Sequence, residues 1–355
     1  MEMGYADPGT IYNRVKSQRE AFNFERFPDF TDLSSYIGEE LGEDRLPRLD
    51  RKAIDESKLT SDQKHWRQEG YVVFKNAVPD PLIDDYLDLR RRCGLGRQAF
   101  PSLAPYDSFE EIKALCLHEP LLARLNAMLG YKVALHFNLS AFTSTERGWH
   151  QDDYMSAPDV AASGVAIWFA LGDIHPDAGP FEFIPGSHRW PIMRREKVAR
   201  YLSDEAYKNP DGKYEFWAQL AEYYVNPACE AYIRERGARP ETFLGKKGDV
   251  LVWHGGLMHR GSFPRNGDLE RPALISHYCD PKRHPVHLGK LAKRSKNGRF
   301  ITFPTESKLE ISGAEIIAGP KPLPSRREVF GDRVRAALQA PVRALSAAME
   351  RSRPK

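Results

Sequence analysis

The hydrophobic pattern of the chain changes character near Gly130. Before that point apolar residues recur at helical spacing. Thr60 or Ser61 caps a short helix that runs through Trp66 and is ended by Gly70. Tyr71-Val72-Val73-Phe74 follows as a β-rich run. Asp80-Pro81 opens a second helix with apolar positions Leu82, Ile83, Tyr86, Leu87 and Leu89. A third is expected from about Phe109 to Leu129, stopping at Gly130. After Gly130 short β-rich runs succeed one another: 131–143, 164–171, 179–184, 249–253 and 273–278. Some alternate and some are almost wholly apolar, as in a barrel or sandwich. Helices followed by such a core predict a mainly β, α+β fold: a jelly-roll-like barrel with helices packed on one sheet.

Residues 1–59 are polar, charged and broken by Pro and Gly, and read as an irregular arm. Residues 60–280 carry the jelly-roll domain. Within it, 190–245 turns helical, charged and rich in aromatics, an insertion placed to be a lid or substrate wall. A pair of helices that only packs on the barrel fits the same pattern. Residues 281–355 hold a basic segment and an amphipathic stretch, Arg326–Arg353, with Val334, Leu338, Val342, Leu345 and Met349 on one stripe and Pro341 interrupting it. Packing on the domain or on a partner subunit suits that stretch better than a peripheral membrane contact.

Composition changes this picture little. A net charge of +3 over 355 residues sets up no field that points to nucleic acid or a membrane. No run approaches the ~20 apolar residues of a membrane-spanning helix. The first residues have no apolar stretch of the signal-peptide kind. Cys93, Cys116, Cys229 and Cys279 form no CxxC pair and read as small buried residues. The expectation is a cytoplasmic enzyme acting on a small molecule. The sequence is silent on oligomeric state.

Chemistry concentrates in three places. Gly148-Trp149-His150-Gln151-Asp152-Asp153 joins two β-rich runs. On an extended segment His150 and Asp152 point to the same side, an imidazole beside a carboxylate. The strand Val250-Leu251-Val252-Trp253 then leads into His254-Gly255-Gly256-Leu257-Met258-His259, so His254 and His259 both offer a third ligand. Two His and one carboxylate on one face leave adjacent positions open, which suits Fe(II) with a bidentate cosubstrate and O2. Zinc accepts the same set with water as a fourth ligand. Arg271 enters the apolar strand Ala273–Tyr278, which is costly unless the guanidinium meets an anion.

Together, Glu69–Phe74, Trp149-His150-Gln151-Asp152, Gly179–His188 with its Pro185-Gly186-Ser187-His188, the stretch Trp253–His259, Gly261-Ser262 and Arg271 resemble the phytanoyl-CoA dioxygenase family of Fe(II)/2-oxoglutarate oxygenases. The resemblance spans about 60–280 and implies a double-stranded β-helix, the cupin-like jelly roll. It implies iron bound by His150, Asp152 and His259, because Gly-Ser closely follows the family's last ligand. It implies that Arg271 grips the distal carboxylate of 2-oxoglutarate, with Ser262 adding a hydrogen bond and Trp168 lying against the cosubstrate. Arg260 looks like an extra residue before Gly261-Ser262, which a bulge could absorb. His188 reads as a structural hydrogen-bonding residue.

The implied reaction couples oxidation of 2-oxoglutarate by O2 to hydroxylation of a substrate C–H bond. Asp152 speaks against halogenation, since related halogenases carry a small residue there. Desaturation and ring formation draw on the same chemistry. The basic residues Lys282, Arg283, Lys290, Lys293, Arg294, Lys296 and Arg299 suggest either steering of an anionic substrate, lipid- or sugar-linked, or a solvated loop. Two other classes compete: a zinc-dependent cupin-like hydrolase or isomerase, in which Arg271 has no task, and a non-catalytic ligand-binding jelly roll, which needs no metal triad.

Overall fold

The computed structural model describes residues 32–38, 41–102, 104–155, 164–202, 217–282, 293–294, 299–302, 309–313 and 315–318. Helix α1, Ser61–Glu69, starts on a capping box: the Thr60 hydroxyl accepts from the Gln63 N–H and the Gln63 side chain accepts from the Thr60 N–H. Gly70 ends it with a φ of 76°. A side chain there would also strike the His188 ring. The Gln63 amide donates to the carbonyls of Ala127 and Met128, docking α1 on the end of a later helix. Strand β1, Tyr71–Phe74, and helix α2, Asp80–Arg92, follow as expected. The single helix expected from Phe109 to Leu129 is two, α3 at Glu110–Cys116 and α4 at Glu119–Leu129. Pro120 has no N–H to donate to the preceding turn, and the chain leaves helical backbone at His118 (φ −54°, ψ 114°), so the apolar periodicity runs through two helices.

The barrel strands are β2 (Ala134–Ala141), β3 (Val165–Ala170), β4 (Phe181–Phe183), β5 (Glu241–Phe243), β6 (Val250–His254), β7 (His259–Gly261) and β8 (Ala273–Cys279). Strands β5 and β7 have no hydrophobic run of their own and are set by pairing alone. A five-stranded sheet has the order β1-β6-β3-β8-β2 and a three-stranded sheet the order β5-β4-β7. All their pairings are antiparallel. This is the double-stranded β-helix.

The larger sheet is buried on both faces. Val165, Ile167, Phe169, Val250, Val252 and Leu274 pack with α2, α3 and α4. Ala166, Trp168, Leu251, Trp253 and Ala273 face Phe181, Phe183 and Phe243 of the smaller sheet. Register aligns the inner face in rungs. One reads Tyr71, Trp253, Ala166, His277, Phe137; the next reads Leu251, Trp168, Ile275, Leu139.

A second core lies under the insertion. Helix α5 is Arg195–Val198 and helix α6 is Trp217–Glu235. Ala221, Tyr224, Val225, Ala228 and Cys229 of α6 pack on Trp149, Tyr154, Ile184 and Met258. Leu33 and Tyr36 join them, so the region read as an irregular arm contributes buried residues. It also forms 3-10 turns at Leu33–Tyr36, Arg48–Asp50 and Glu56–Lys58. Tyr207, Tyr214 and the stretch Arg326–Arg353 lie outside the described residues. So do Arg283, Lys290 and Lys296 of the basic segment, whereas Arg299 pairs with Glu119 and donates to the Leu117 carbonyl. Among the described residues no helix is long and apolar enough to cross a membrane.

His188 is the structural histidine its turn suggested. Its Nε2–H donates to the Arg67 carbonyl at 3.2 Å, and burial pushes its pKa down to about 3. The folded value lies below the unfolded one of about 6.5. As pH falls through that window the unfolded chain takes up the proton first. Stability is therefore full above pH ~6.5 and lost toward about 3, by up to ~1.4 kcal/mol per pH unit. Urea unfolding at several pH values should show a shallower pH dependence for His188→Gln than for the wild type; equal slopes would refute this assignment.

Candidate active site

His150 and Asp152 sit on the loop before β3, and His259 begins β7. The loop is pinned to that strand: the His150 N–H donates to the His259 carbonyl at 3.1 Å, and the His259 N–H returns to the His150 carbonyl at 3.0 Å. The Asp152 N–H donates to the Gly255 carbonyl at 2.8 Å. Three residues distant by up to 109 positions are thus brought together, with one ligand atom from each within 4.8 Å of the others. Asp152 Oδ1 lies 3.7 Å from His150 Nε2 and 3.6 Å from His259 Nε2.

The remaining hydrogen bonds orient the ligands. His150 Nδ1–H donates to the Gly148 carbonyl at 2.7 Å and His259 Nδ1–H to the Leu257 carbonyl at 2.8 Å. Each bond turns the Nε2 lone pair inward. The Trp253 indole N–H donates to Asp152 Oδ2 at 3.1 Å. Phe181 stacks on the His259 ring at 5.1 Å. Burial pushes both imidazoles down, His150 the further. Burial alone would raise the Asp152 carboxyl, but His259, His277, Arg147 and the Trp253 bond outweigh it and hold it below the usual value. A carboxylate between two neutral imidazoles is the ionisation a divalent metal requires. His150 Nε2 is buried with no hydrogen-bond partner, an acceptor that a metal would satisfy. The residues fit the ion.

His254, the rival third ligand, is not part of this group. Its Nδ1 accepts from the Gly256 N–H at 2.9 Å and its Nε2–H donates to Asp50 at 3.2 Å.

Arg271 lies at the entrance to β8 and is only 1% exposed. Its guanidinium donates to the carbonyls of Gly179 at 2.5 Å and Thr143 at 3.2 Å, and rests 4.5 Å over the Trp168 ring. Among the described residues it meets no carboxylate, and burial pushes it down to about 10. Arg271 Nε and Trp168 Nε1 are both buried without a hydrogen-bond partner. Two neighbouring orphan donors, one of them cationic, form a socket for an anion. Ser262 lies on the same side of the site, at the end of β7. Its hydroxyl donates to the Pro180 carbonyl at 2.7 Å and so ties the strand end to the turn before β4. No bulge absorbs Arg260: β7 pairs regularly with β4 through Phe183↔His259, Glu182↔Arg260 and Phe181↔Gly261. Arg260 instead pairs with Glu182 at 2.6 Å and lies 4.6 Å over Trp149.

Sequence reasoning missed Trp253 and the pair Arg147–Glu222. Trp253 shares its strand face with Leu251, which a period-2 reading of β6 could have shown. Arg147 Nε donates to Glu222 at 2.5 Å, joining the metal loop to α6. That pairing has no local signal. Removing the indole bond with Trp253→Phe should lower Fe(II) affinity roughly 10- to 100-fold while the fold is kept, as read by Fe(II) titration and by circular dichroism. Unchanged affinity would show that the indole only packs.

A double-stranded β-helix with an inward His-Asp-His triad and a buried arginine at the start of β8 defines the non-haem iron, 2-oxoglutarate-dependent class of enzymes. Residues 66–273 match the phytanoyl-CoA dioxygenase family (PhyH), and the chain belongs to that family. No curated protein sequence matches it. Among solved structures it is similar to the epimerase SnoN in complex with Fe3+, alpha ketoglutarate and nogalamycin RO: 16% identity over 77% of this chain and 98% of that one, TM-score 0.49. The non-heme alpha ketoglutarate dependent carbocyclase SnoK from nogalamycin biosynthesis shares 18% identity over 63% of this chain and 85% of that one, TM-score 0.44. HygX from Streptomyces hygroscopicus, with nickel and 2-oxoglutarate bound, shares 16% over 62% and 86%, TM-score 0.42.

Proposed function

We propose that the protein is a dioxygenase that hydroxylates a C–H bond of a small molecule, with Fe(II) held by His150, Asp152 and His259 and 2-oxoglutarate by Arg271. The observation that carries the reading is Arg271: a buried guanidinium with no carboxylate among the described residues, beside a metal-ready triad, calls for a dianionic cosubstrate. A zinc hydrolase or a plain binding module leaves that charge without a task. Bound Fe(II) would supply the redox chemistry that couples O2 reduction and 2-oxoglutarate decarboxylation to substrate oxidation.

The chain's own groups have distinct tasks. Arg271 binds the distal carboxylate and Trp168 adds its indole N–H and its ring face. Trp253 holds the Asp152 carboxylate in one orientation. Ser262 shapes the socket by fixing Pro180 rather than by gripping the cosubstrate. Phe181, packed between His259, Trp168 and Trp253, keeps water off one side of the site. The insertion is the wall at the mouth: Asn226 of α6 lies against Gly148, and Glu222 grips Arg147.

Purified without oxygen and loaded with Fe(II), the protein should show a weak visible metal-to-ligand charge-transfer band on addition of 2-oxoglutarate. It should then release succinate in air with a suitable metabolite extract. Absence of both band and succinate release would refute the reading.

A further inference from the structure

The inner face of the larger sheet continues past the triad onto the β8–β2 half, where, among the described residues, the three-stranded sheet has no fourth strand to cover it. There the rung Trp253, Ala166, His277, Phe137 ends at the sheet edge. His277 stacks flat on Phe137, with ring centroids 4.0 Å apart and planes 11° apart. Its other neighbour on the rung is the small Ala166, beyond which Trp253 meets it edge-on at 6.2 Å. The next rung adds Ile275 and Leu139, and Leu139 is 37% exposed. The floor is therefore aromatic and aliphatic, open to solvent at one side, and leads to the carboxylate that Trp253 holds.

His277 supplies the hydrogen-bonding group of that rung on this half, with the His136 ring 6.1 Å away at the irregularity of β2. Among the described residues neither of its ring nitrogens has a hydrogen-bond partner, although it is flanked by rings on both sides. A neutral imidazole placed here offers one donor and one acceptor. The Arg271 guanidinium rests over Trp168, one rung short of His277, and a cosubstrate gripped there would have its other end committed to the metal held by the triad. His277, stacked on Phe137 on the β2 side of its rung, is left to a different molecule.

We propose that His277 is a specificity-determining residue that hydrogen-bonds a neutral oxygen, hydroxyl or carbonyl, of the primary substrate, whose apolar face lies on Phe137, Leu139 and Ile275. This inference rests on the oxygenase reading and narrows the substrate class: an apolar, ring-like body with an uncharged polar edge near the attacked C–H bond. It disfavours an anionic group at this position: among the described residues no cation bonds to or stacks on this floor, Arg147 acting on His277 only through space.

Benzyl alcohol and toluene test it as minimal probes, differing by one hydroxyl. With wild-type enzyme loaded with Fe(II) and 2-oxoglutarate, benzyl alcohol should raise succinate release in a saturable way, and toluene should not match it. In His277→Ala the half-saturating concentration of benzyl alcohol should rise at least tenfold, and His277→Gln should recover most of it. The 2-oxoglutarate titration of the charge-transfer band should stay within twofold in both variants. The proposal is overturned if wild type does not distinguish the two probes, if His277→Ala responds as wild type does, or if that variant loses 2-oxoglutarate binding tenfold, which would assign His277 to the cosubstrate. Loss of the band in wild type would instead refute the oxygenase reading itself.

Discussion

Arg271→Ala should weaken 2-oxoglutarate binding by about 30-fold or more without unfolding the protein. Truncating one partner of a buried, hydrogen-bonded charge pair costs ~2–5 kcal/mol, and each 1.4 kcal/mol is a factor of ten. The guanidinium reaches its anion from a fixed position, held by the Gly179 and Thr143 carbonyls and by the Trp168 face. Arg271→Lys should rescue little, since an ammonium cannot reproduce the planar fork. Stability supplies an independent sign. In the protein without cosubstrate the charge is buried with no carboxylate partner among the described residues, so Arg271→Met should leave the melting temperature unchanged or higher. Anaerobic titration of the charge-transfer band and thermal melts read the two effects. Wild-type affinity in Arg271→Ala would remove the cosubstrate from this socket.

Asp152→Ala should abolish iron retention, a loss beyond the ~10- to 100-fold typical when a group that merely supports a ligand is removed. It deletes the only anion of the triad and leaves two neutral imidazoles. It also strands the Trp253 indole N–H, at a stability cost of about 1–3 kcal/mol. Asp152→Asn separates the two effects: its amide oxygen still accepts from Trp253, but the ligand charge is gone. Metal analysis after desalting should find little iron in either variant, with near-wild-type stability only in Asp152→Asn. Full iron occupancy in Asp152→Asn would contradict the ligand assignment.

The fold was largely legible. Strands β2, β3, β4, β6 and β8 carry β-rich or alternating runs, and Gly70 and Gly130 mark helix ends by their composition. The break between α3 and α4 was hidden because one apolar stripe serves both helices, while Pro120 acts only through the backbone. Strands β5 and β7 were hidden because each is only three residues long and takes its identity from β4. In the arm, Leu33, Tyr36 and Leu49 are too sparse to set a period, yet each finds a core to fill.

The residue types of the site and their order along the chain are local properties, so His150, Asp152, His259 and Arg271 could be singled out from neighbours alone. Their arrangement is not local. The bond from Trp253 to Asp152 spans 101 positions and that from Arg147 to Glu222 spans 75. The choice of His259 over His254 as the third member depends on which one faces His150 across a backbone bridge. Sequence determined that a metal-binding triad and an anion-seeking arginine belong to a jelly roll, because side-chain chemistry and strand period are written residue by residue. Tertiary structure decided which donors stay unpaired among the described residues, that the Ser262 hydroxyl meets the Pro180 carbonyl, and that His277 stacks on Phe137, because partnership in a sheet is fixed by register between strands far apart in the chain.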